Sequence, residues 1–350
     1  MSSPGGRRAG AAPAGPERAA ARETHGAARH VSAHVLARRE LGRRRRRRPA
    51  ASRPCPDGLS RPRAASRRTH PRTHHHRKGA TPMKSLVTVG LPDVQAVYRG
   101  FERELWELIM GEQIHIGGFA SSMALAERAK IGEGMRGADL CCCTGAGMRF
   151  LVRFRGVAAM HGVDATAEVV ELGRRRCAAQ GLADAIALTV ADACATGFPA
   201  AAFDFVWGED AWCYVVDKEA LIAEAARIVK PGGAIAFTDW IEGPAGLAED
   251  EAAHFLAFMK FPNVLDMTEY RALLGAHGFR VMVAEDTGAF APAVDLYIAM
   301  LTRQLAYDAL RIVGFDMPLM QALGAEMEFM RQLARAGKIA QGRFVGTRTS

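Results

Sequence analysis

Long hydrophobic runs are missing from this 350-residue chain. Nowhere do roughly 18 or more apolar residues follow one another, the length a membrane-spanning helix requires, so no transmembrane segment is expected. An apolar h-region is lacking near the first residues, and no secretory signal is expected. Cysteine is used without a disulfide framework: six of the seven lie beyond residue 82, and their spacing suggests no set of bridges. Free thiols are expected, and with them a reducing compartment, the cytoplasm. Cys141, Cys142 and Cys143 are contiguous on an expected strand. Alternate side chains there point to opposite faces and do not converge on one ion, so no metal site is expected.

Residues 1–82 are almost without large apolar side chains and acids. They hold 21 Lys and Arg against 4 Asp and Glu, a net +17, while residues 83–350 hold 25 against 33, a net −8. The chain's overall +9 therefore belongs to this first segment alone. Such a composition buries too little apolar surface to offset the entropy of ordering, so a disordered basic tail is expected. The arginine run 43–48 suits nucleic acid or an anionic surface, and an Arg-rich, acid-poor leader also suits an organelle transit peptide. Ordinary globular composition begins at Met83, which offers a further reading, a translation start assigned too far upstream. Residues 83–350 suffice for one α/β domain with a full core. Their acidity argues against a nucleic-acid substrate, since polyanion binding needs positive surface near the site.

The stretch 137–164, GADLCCCTGAGMRFLVRFRGVAAMHGVD, organises the rest of the chain. Residues 137–143 are a short β-compatible run, Thr144, Gly145, Ala146 and Gly147 a small-residue turn, 148–155 a helix, and 157–163 a second strand ending at Asp164. This reads as a βαβ unit with a nucleotide-sized ligand site at its first turn. Asp164 is placed to bind a vicinal diol, because a carboxylate accepts two hydrogen bonds at once. A plain structural βα turn is the competing explanation of the glycines.

Strands and helices then alternate. Helices are expected over 166–180, 217–229 (stopped by Pro231-Gly232-Gly233) and 268–277 (closed by Gly278), and strands over 186–190, 203–207, 234–238 and 279–285. Upstream, 91–110 is amphipathic at helical spacing, 111–118 is a Gly-bounded segment and 123–130 a further helix. Residues 292–336, Met-rich and apolar, are expected to form a helical insertion capping the site before a last strand at 338–347. The alternation predicts an α/β fold, a doubly wound, mostly parallel sheet covered on both faces. Ligands of such sheets bind beyond the carboxyl ends of the strands. Acids or small residues stand at successive ends: the 141–147 turn, Asp164, Asp192-Ala193, Glu209-Asp210 and Asp239. Each acid taken singly also suits a helix N-cap; their repetition points to a site. Trp207, Trp212 and Trp240 are expected in the core or a pocket wall.

In this order the pieces resemble a class I S-adenosylmethionine-dependent methyltransferase, over roughly residues 98–286 with the last strand added. Asp139-Leu140-Cys141-Cys142-Cys143-Thr144-Gly145 is similar to the family's DxGxGxG-like first motif. Val163-Asp164-Ala165 resembles its ribose-binding second motif, Ala191-Asp192-Ala193 its adenine-binding third, and Lys230-Pro231-Gly232-Gly233 the turn before the fifth strand. The resemblance implies a seven-stranded sheet with a reversed final strand, and S-adenosylmethionine as cofactor. It implies cofactor contacts from Asp139, Cys141, Gly145, Gly147, Asp164, Ala165, Asp192, Ala193, Glu209 and Asp210. Cys141 and Cys143 depart from the pattern, since glycines are usual at both positions. A Cβ at the second crowds the backbone that approaches the methionine moiety. Either that strand end is in an ordinary β conformation or cofactor affinity is reduced.

Closer still, GEQIHIGG at 111–118 and EDAWCYVVDK at 209–218 are similar to segments of the sarcosine/dimethylglycine N-methyltransferase and phosphoethanolamine methyltransferase branch. By that resemblance Tyr98 falls on the phosphoethanolamine enzymes' catalytic tyrosine, Ile114 and His115 on cofactor contacts, and Tyr214 on a position usually held by His. Tyr98, Tyr214 and His115 are the candidates for proton handling. Around Met259-Lys260-Phe261 the Arg and Tyr set that would cradle a phosphate is missing. A small carboxylate-bearing amine, such as sarcosine or dimethylglycine, is therefore expected as acceptor. A tertiary amine or thioether would need no base at all. The rival readings are an S-, O- or C-methyltransferase on a lipid-like metabolite, suited to the apolar 294–336 region, and a nucleic-acid-associated protein using the basic tail.

Overall fold

In the computed structural model, which describes residues 84–85 and 88–349, the first elements are a two-residue strand β1 (Lys84–Ser85) and helices α1 (Leu91–Arg99) and α2 (Phe101–Met110). The tail expected over 1–82 lies outside the described residues. The amphipathic stretch 91–110 is not one helix. Gly100 leaves the helical conformation, at φ −93° and ψ −173°, while its N–H donates to the Ala96 and Val97 carbonyls at 3.1 Å each, and helix restarts at Phe101.

Helix α3 (Gly118–Arg128) leads into β2 (Arg136–Leu140), α4 (Ala146–Arg155), β3 (Ala159–Asp164), α5 (Ala167–Ala179), β4 (Ile186–Val190) and β5 (Phe203–Glu209). Then come α6 (Lys218–Ile228), β6 (Val229–Glu242), α7 (Glu249–Met259), β7 (Asn263–Val264), α8 (Met267–Ala276) and β8 (Phe279–Asp286). Between β8 and the last strand, β9 (Ile339–Arg348), lie α9 (Phe290–Ala299), a π-helical stretch Met300–Gln304, α10 (Ala306–Ile312) and α11 (Met317–Arg335). Helix α7 and the short β1–β7 pair, at 84–85 and 263–264, have no counterpart in the sequence-based reading.

The main sheet has seven strands in the order β4-β3-β2-β5-β6-β9-β8. Strands β4 to β6 are mutually parallel, and β9 runs antiparallel to both β6 and β8. The reversed strand is thus the last in sequence, as expected. Pro231-Gly232-Gly233 does not separate helix from strand. Phe203 pairs with Val229 and Phe205 with Ala234, so 230–233 bulge out of a strand that has already begun. Proline offers no ladder donor, and Gly232 takes φ +78° there.

The strands order because they are buried. Leu140, Val163, Phe205, Val206, Ile235 and Phe237 are fully inaccessible. Phe237 stacks between Trp212, at 4.1 Å, and Phe344, at 4.7 Å, tying β6 to β9 and to the segment after β5. Each such aromatic pair contributes about 0.5–1.5 kcal/mol beyond its buried area. The insertion has its own apolar cluster, in which Phe290, Val294, Met327 and Met330 pack with Trp240, Phe255 and Phe261. The sheet order reverses between β2 and β5, and at such a point the carboxyl ends of neighbouring strands open a crevice.

Candidate active site

Strand β2 ends at Leu140, so the three cysteines are not on it as expected but in the turn beyond it. Cys141 has φ +64°, Cys143 φ +47° and Gly145 φ +71°. Three alternate residues therefore adopt the left-handed backbone, and only the third is glycine. The second cysteine is not in an ordinary β conformation. A residue with a Cβ pays roughly 1–2 kcal/mol in that region. Hydrogen bonds hold the turn in place: Cys142 N–H to Val163 O at 2.9 Å, Cys143 N–H to Asp164 Oδ2 at 3.0 Å, and Gly145 N–H to Cys142 O at 2.8 Å. Gly145 then caps the N-terminus of α4.

Beyond these strand ends lies a cavity of about 400 Å³. Its walls include Asp139, Cys141, Gly147, Asp164, Ala165, Asp192, Ala193, Glu209 and Asp210, together with Ile114, His115, Tyr98 and Tyr214. Of the residues singled out in the sequence, Gly145 stands behind the wall, where it shapes the turn. Asp239 is elsewhere: it sits inside β6, fully buried, accepting from Cys213 N–H at 3.0 Å and Tyr270 O–H at 2.5 Å.

The wall is strongly acidic. Burial, and then the charges of Glu209 and Asp164, push the Asp139 carboxyl well above the usual range. Burial also raises Asp164, although N–H groups of Thr166 (2.9 Å) and Cys143 (3.0 Å) pull it back. Asp210 is buried and accepts from Ile116 N–H at 2.8 Å and from Gln341 Nε2 at 2.8 Å. Asp192 forms a tight local turn, Oδ1 accepting from Cys194 N–H at 2.8 Å.

The Gly-bounded segment closes one side. His115 is buried, its Nδ1 3.3 Å from Ile116 O and its Nε2 3.1 Å from Ser122 Oγ and 3.3 Å from Glu209 Oε1. Both ring nitrogens are thus engaged with protein groups. Ser122 Oγ also donates to Glu209 Oε1 at 2.5 Å. Ser122, on α3, and Gln341, on β9, were missed in the sequence: nothing local marks a serine or glutamine that is aimed at an acid 87 or 131 residues away. A second network pins α2 and the segment to the turn. Buried Arg149 donates to Thr144 O at 2.6 Å and Glu112 Oε2 at 2.5 Å, and Arg176 donates to both Glu107 oxygens at 2.7 and 3.0 Å. Burial would raise the Glu107 carboxyl, but Arg176 and Arg103 outweigh it and hold it below its usual value.

Tyr98 and Tyr214 meet edge to face, with ring centroids 5.6 Å apart and planes at 81°. Burial is the main cause that raises both phenols, so both are protonated at neutral pH. Trp207 and Trp212 are fully buried and Trp240 nearly so, all of them core or wall.

Residues 138–237 match the family described as a methyltransferase domain. Over these residues the chain carries a methyltransferase domain. Its relatives include a probable tocopherol O-methyltransferase, chloroplastic, of Oryza sativa subsp. japonica, 31% identical over 157 residues, which are 39% of this chain and 43% of the relative. Phosphoethanolamine N-methyltransferase 1 of Triticum aestivum is 26% identical over 216 residues, 61% of this chain and 41% of the relative. The chain thus spans under half the length of these two relatives. Among solved structures, Haemonchus contortus phosphoethanolamine N-methyltransferase 2 in complex with S-adenosyl-L-methionine shares the fold at a TM-score of 0.64 and 20% identity, over 74% of this chain and 59% of that one.

The cofactor of such a methyltransferase domain is S-adenosylmethionine. The residues present fit it. The charges of Glu209 and Asp164 add to burial in raising the Asp139 carboxyl at the cavity wall, an arrangement relieved by a ligand carrying an ammonium and a sulfonium. Close backbone approach is preserved at Gly147, where a β carbon would come within 2.6 Å of Glu209 Oε2. Among the described residues no helix is long and apolar enough to cross a membrane, and no group of three or more His, Cys, Asp or Glu is placed to hold a metal ion.

Proposed function

We propose that the chain transfers the methyl group of S-adenosylmethionine to a small-molecule acceptor held between Tyr98, Tyr214 and the helical insertion. The observation that carries this is the convergence of the acids at four strand ends, Asp139 with Cys141, Asp164, Asp192 and Glu209-Asp210, on one cavity. When bound, the cofactor supplies a methyl group already activated by its sulfonium. The protein's task is then chiefly alignment, and near-attack positioning contributes about 7–11 kcal/mol.

In this reading Asp164 accepts from the ribose hydroxyls, with its orientation fixed by the two backbone N–H groups behind it. Asp192 and Ala193 border the adenine. The turn from Cys141 to Gly147 holds the methionine end, and Asp139 and Glu209 offset its positive charge. Ile114 and His115 close the side wall, with His115 orienting the segment through its contacts to Ser122 and Glu209. Tyr98 covers the methyl. Both phenols border the acceptor in their protonated form, because burial disfavours the phenolate that a standing base would need. An acceptor that loses no proton in the transfer, a thioether or a tertiary amine bound in its neutral form, suits them best.

Transfer to the amine of a glycine derivative such as sarcosine or dimethylglycine is supported by the acidic wall, which favours a cationic product, and by the likeness to N-methyltransferases. Its carboxylate fares worse: among the described residues, neither lysine nor arginine lines the cavities at Tyr98 and Tyr214. That observation favours a second reading, an acceptor with an apolar body. We place the reaction in the cytoplasm, a location supported by the free cysteines. Radiolabelled methyl transfer to sarcosine, dimethylglycine, small thioethers and fatty acids tests the proposal. Transfer to one acceptor, lost in Asp164→Ala, is expected; a chain that binds no S-adenosylmethionine overturns it.

A further inference from the structure

A second cavity, of about 220 Å³, lies under the insertion. Leu105 and Trp106 of α2 form one side, Met259 of α7 another, and Leu301, Leu323 and Met327 of the insertion the roof. Tyr214 belongs to the wall of both this cavity and the acidic one. A void of about 20 Å³ lies at the join: it shares Tyr98, His115 and Asp210 with the acidic cavity, Trp106 and Met259 with the apolar one, and Tyr214 with both. Leu301 and Thr302 reach the apolar cavity from the π-helical stretch, a distortion that recurs at functional sites because it re-aims side chains.

The chemistry of this chamber differs from that of the cofactor's cavity. Its lining is hydrocarbon, aromatic ring and thioether, with Glu102 and Thr302 as its polar side chains beside the Tyr214 phenol. A carboxylate or phosphate placed there would lose its hydration without gaining a cation, which disfavours it. A hydrocarbon would lose nothing and release water. We propose that the methyl acceptor is an amphiphile: its nucleophilic atom sits at the Tyr98–Tyr214 join, and an alkyl chain or ring fills the chamber under the insertion. The proposal rests on the transferase reading for the reacting end only; the apolar end is inferred from the chamber itself.

Gly324 of α11 lines the chamber, and a β carbon there would meet no atom within 4 Å. Gly324 is exposed at the chamber's edge, and Gly324→Phe has room there to narrow the chamber. It also replaces the weakest helix former after proline, so folding is not put at risk. The test is calorimetric titration of the full chain, saturated with S-adenosylhomocysteine, with 1-butanol through 1-octanol and with dimethylglycine. Burial of each methylene raises affinity roughly fourfold, so about 100-fold or more separates butanol from octanol. In Gly324→Phe the series flattens while S-adenosylhomocysteine binds as before, and dimethylglycine binds more weakly than octanol. Affinity independent of chain length, dimethylglycine binding tighter than octanol, or a chain-length series unchanged in Gly324→Phe overturns the proposal. If S-adenosylhomocysteine itself does not bind, the transferase reading has failed. The alkanol series run without it then decides the chamber's preference by the same criteria.

Discussion

A β carbon on Gly147 would lie 2.6 Å from Glu209 Oε2 and 3.2 Å from the indole nitrogen of Trp207, a buried N–H without a hydrogen-bond partner. The first turn of α4 and the end of β5 thus meet at the wall of the acidic cavity. Gly147→Ala forces Glu209 aside, and overpacking of this kind costs about 1–3 kcal/mol. S-adenosylhomocysteine affinity should fall roughly tenfold or more by calorimetry. An unchanged affinity would mean that this approach does not shape the site.

Cys141 and Cys143 carry β carbons through a left-handed turn, at φ +64° and +47°. Replacing Cys143 by glycine removes about 1 kcal/mol of strain, offset in part by the greater freedom of glycine in the unfolded chain. Urea denaturation should show Cys143→Gly at least as stable as the native chain, with S-adenosylhomocysteine bound no more weakly. Cys143→Val, branched at Cβ, should lose stability. A destabilised glycine variant would show that the thiols themselves hold the turn.

These two positions mark where the sequence is legible and where it is not. The succession of strands and helices along the chain and the acids at Asp139, Asp164 and Glu209 are legible, because apolar patterning places strands and acids at their ends mark a rim, whereas the reversed last strand is legible only through the family resemblance. The backbone of the cysteine turn is not, since propensity places cysteine on a strand and only the hydrogen bonds from Cys142 to Val163 and Cys143 to Asp164 impose φ > 0. Gly100 reads as part of a continuous helix because periodicity does not register a single residue leaving the helical region. Asp239 looks like a rim acid in the sequence, yet β6 continues through to Glu242 by pairing with β9, a partner remote in sequence.

Cofactor binding should depend on pH through Asp139. In the free protein its carboxyl titrates well above the ordinary range, chiefly through burial and then through Glu209 and Asp164. A cation placed beside it stabilises the carboxylate, so binding releases a proton where Asp139 is still protonated. Affinity for S-adenosylmethionine should rise with pH across that titration, with proton release visible as a buffer-dependent heat. Asp139→Asn should bind more weakly at high pH and lose the slope; a slope retained in the variant would assign it to another group.

Stability should carry a separate signature from Asp239. Burial is the largest cause that raises its carboxyl from 3.8 to about 6, against the pull of Lys218 and Tyr270. For a raised group the favourable contribution is complete below the unfolded value and is lost as pH rises through the folded one. The native chain should therefore lose on the order of 3 kcal/mol relative to Asp239→Asn between about pH 4 and pH 6. Urea titrations across that range check the sign. A native stability that holds constant or rises relative to Asp239→Asn over that range contradicts it.

The central claim is that these strand ends hold an adenosyl sulfonium. Calorimetric titration of the full chain with S-adenosylmethionine tests it most directly, with Asp164→Ala in parallel and the melting curves of both proteins recorded. Binding at one site per chain, at least tenfold weaker in a folded Asp164→Ala, is the predicted result. A folded native chain that takes up none of the compound at millimolar concentration, or an Asp164→Ala protein that binds it equally well, would contradict the account.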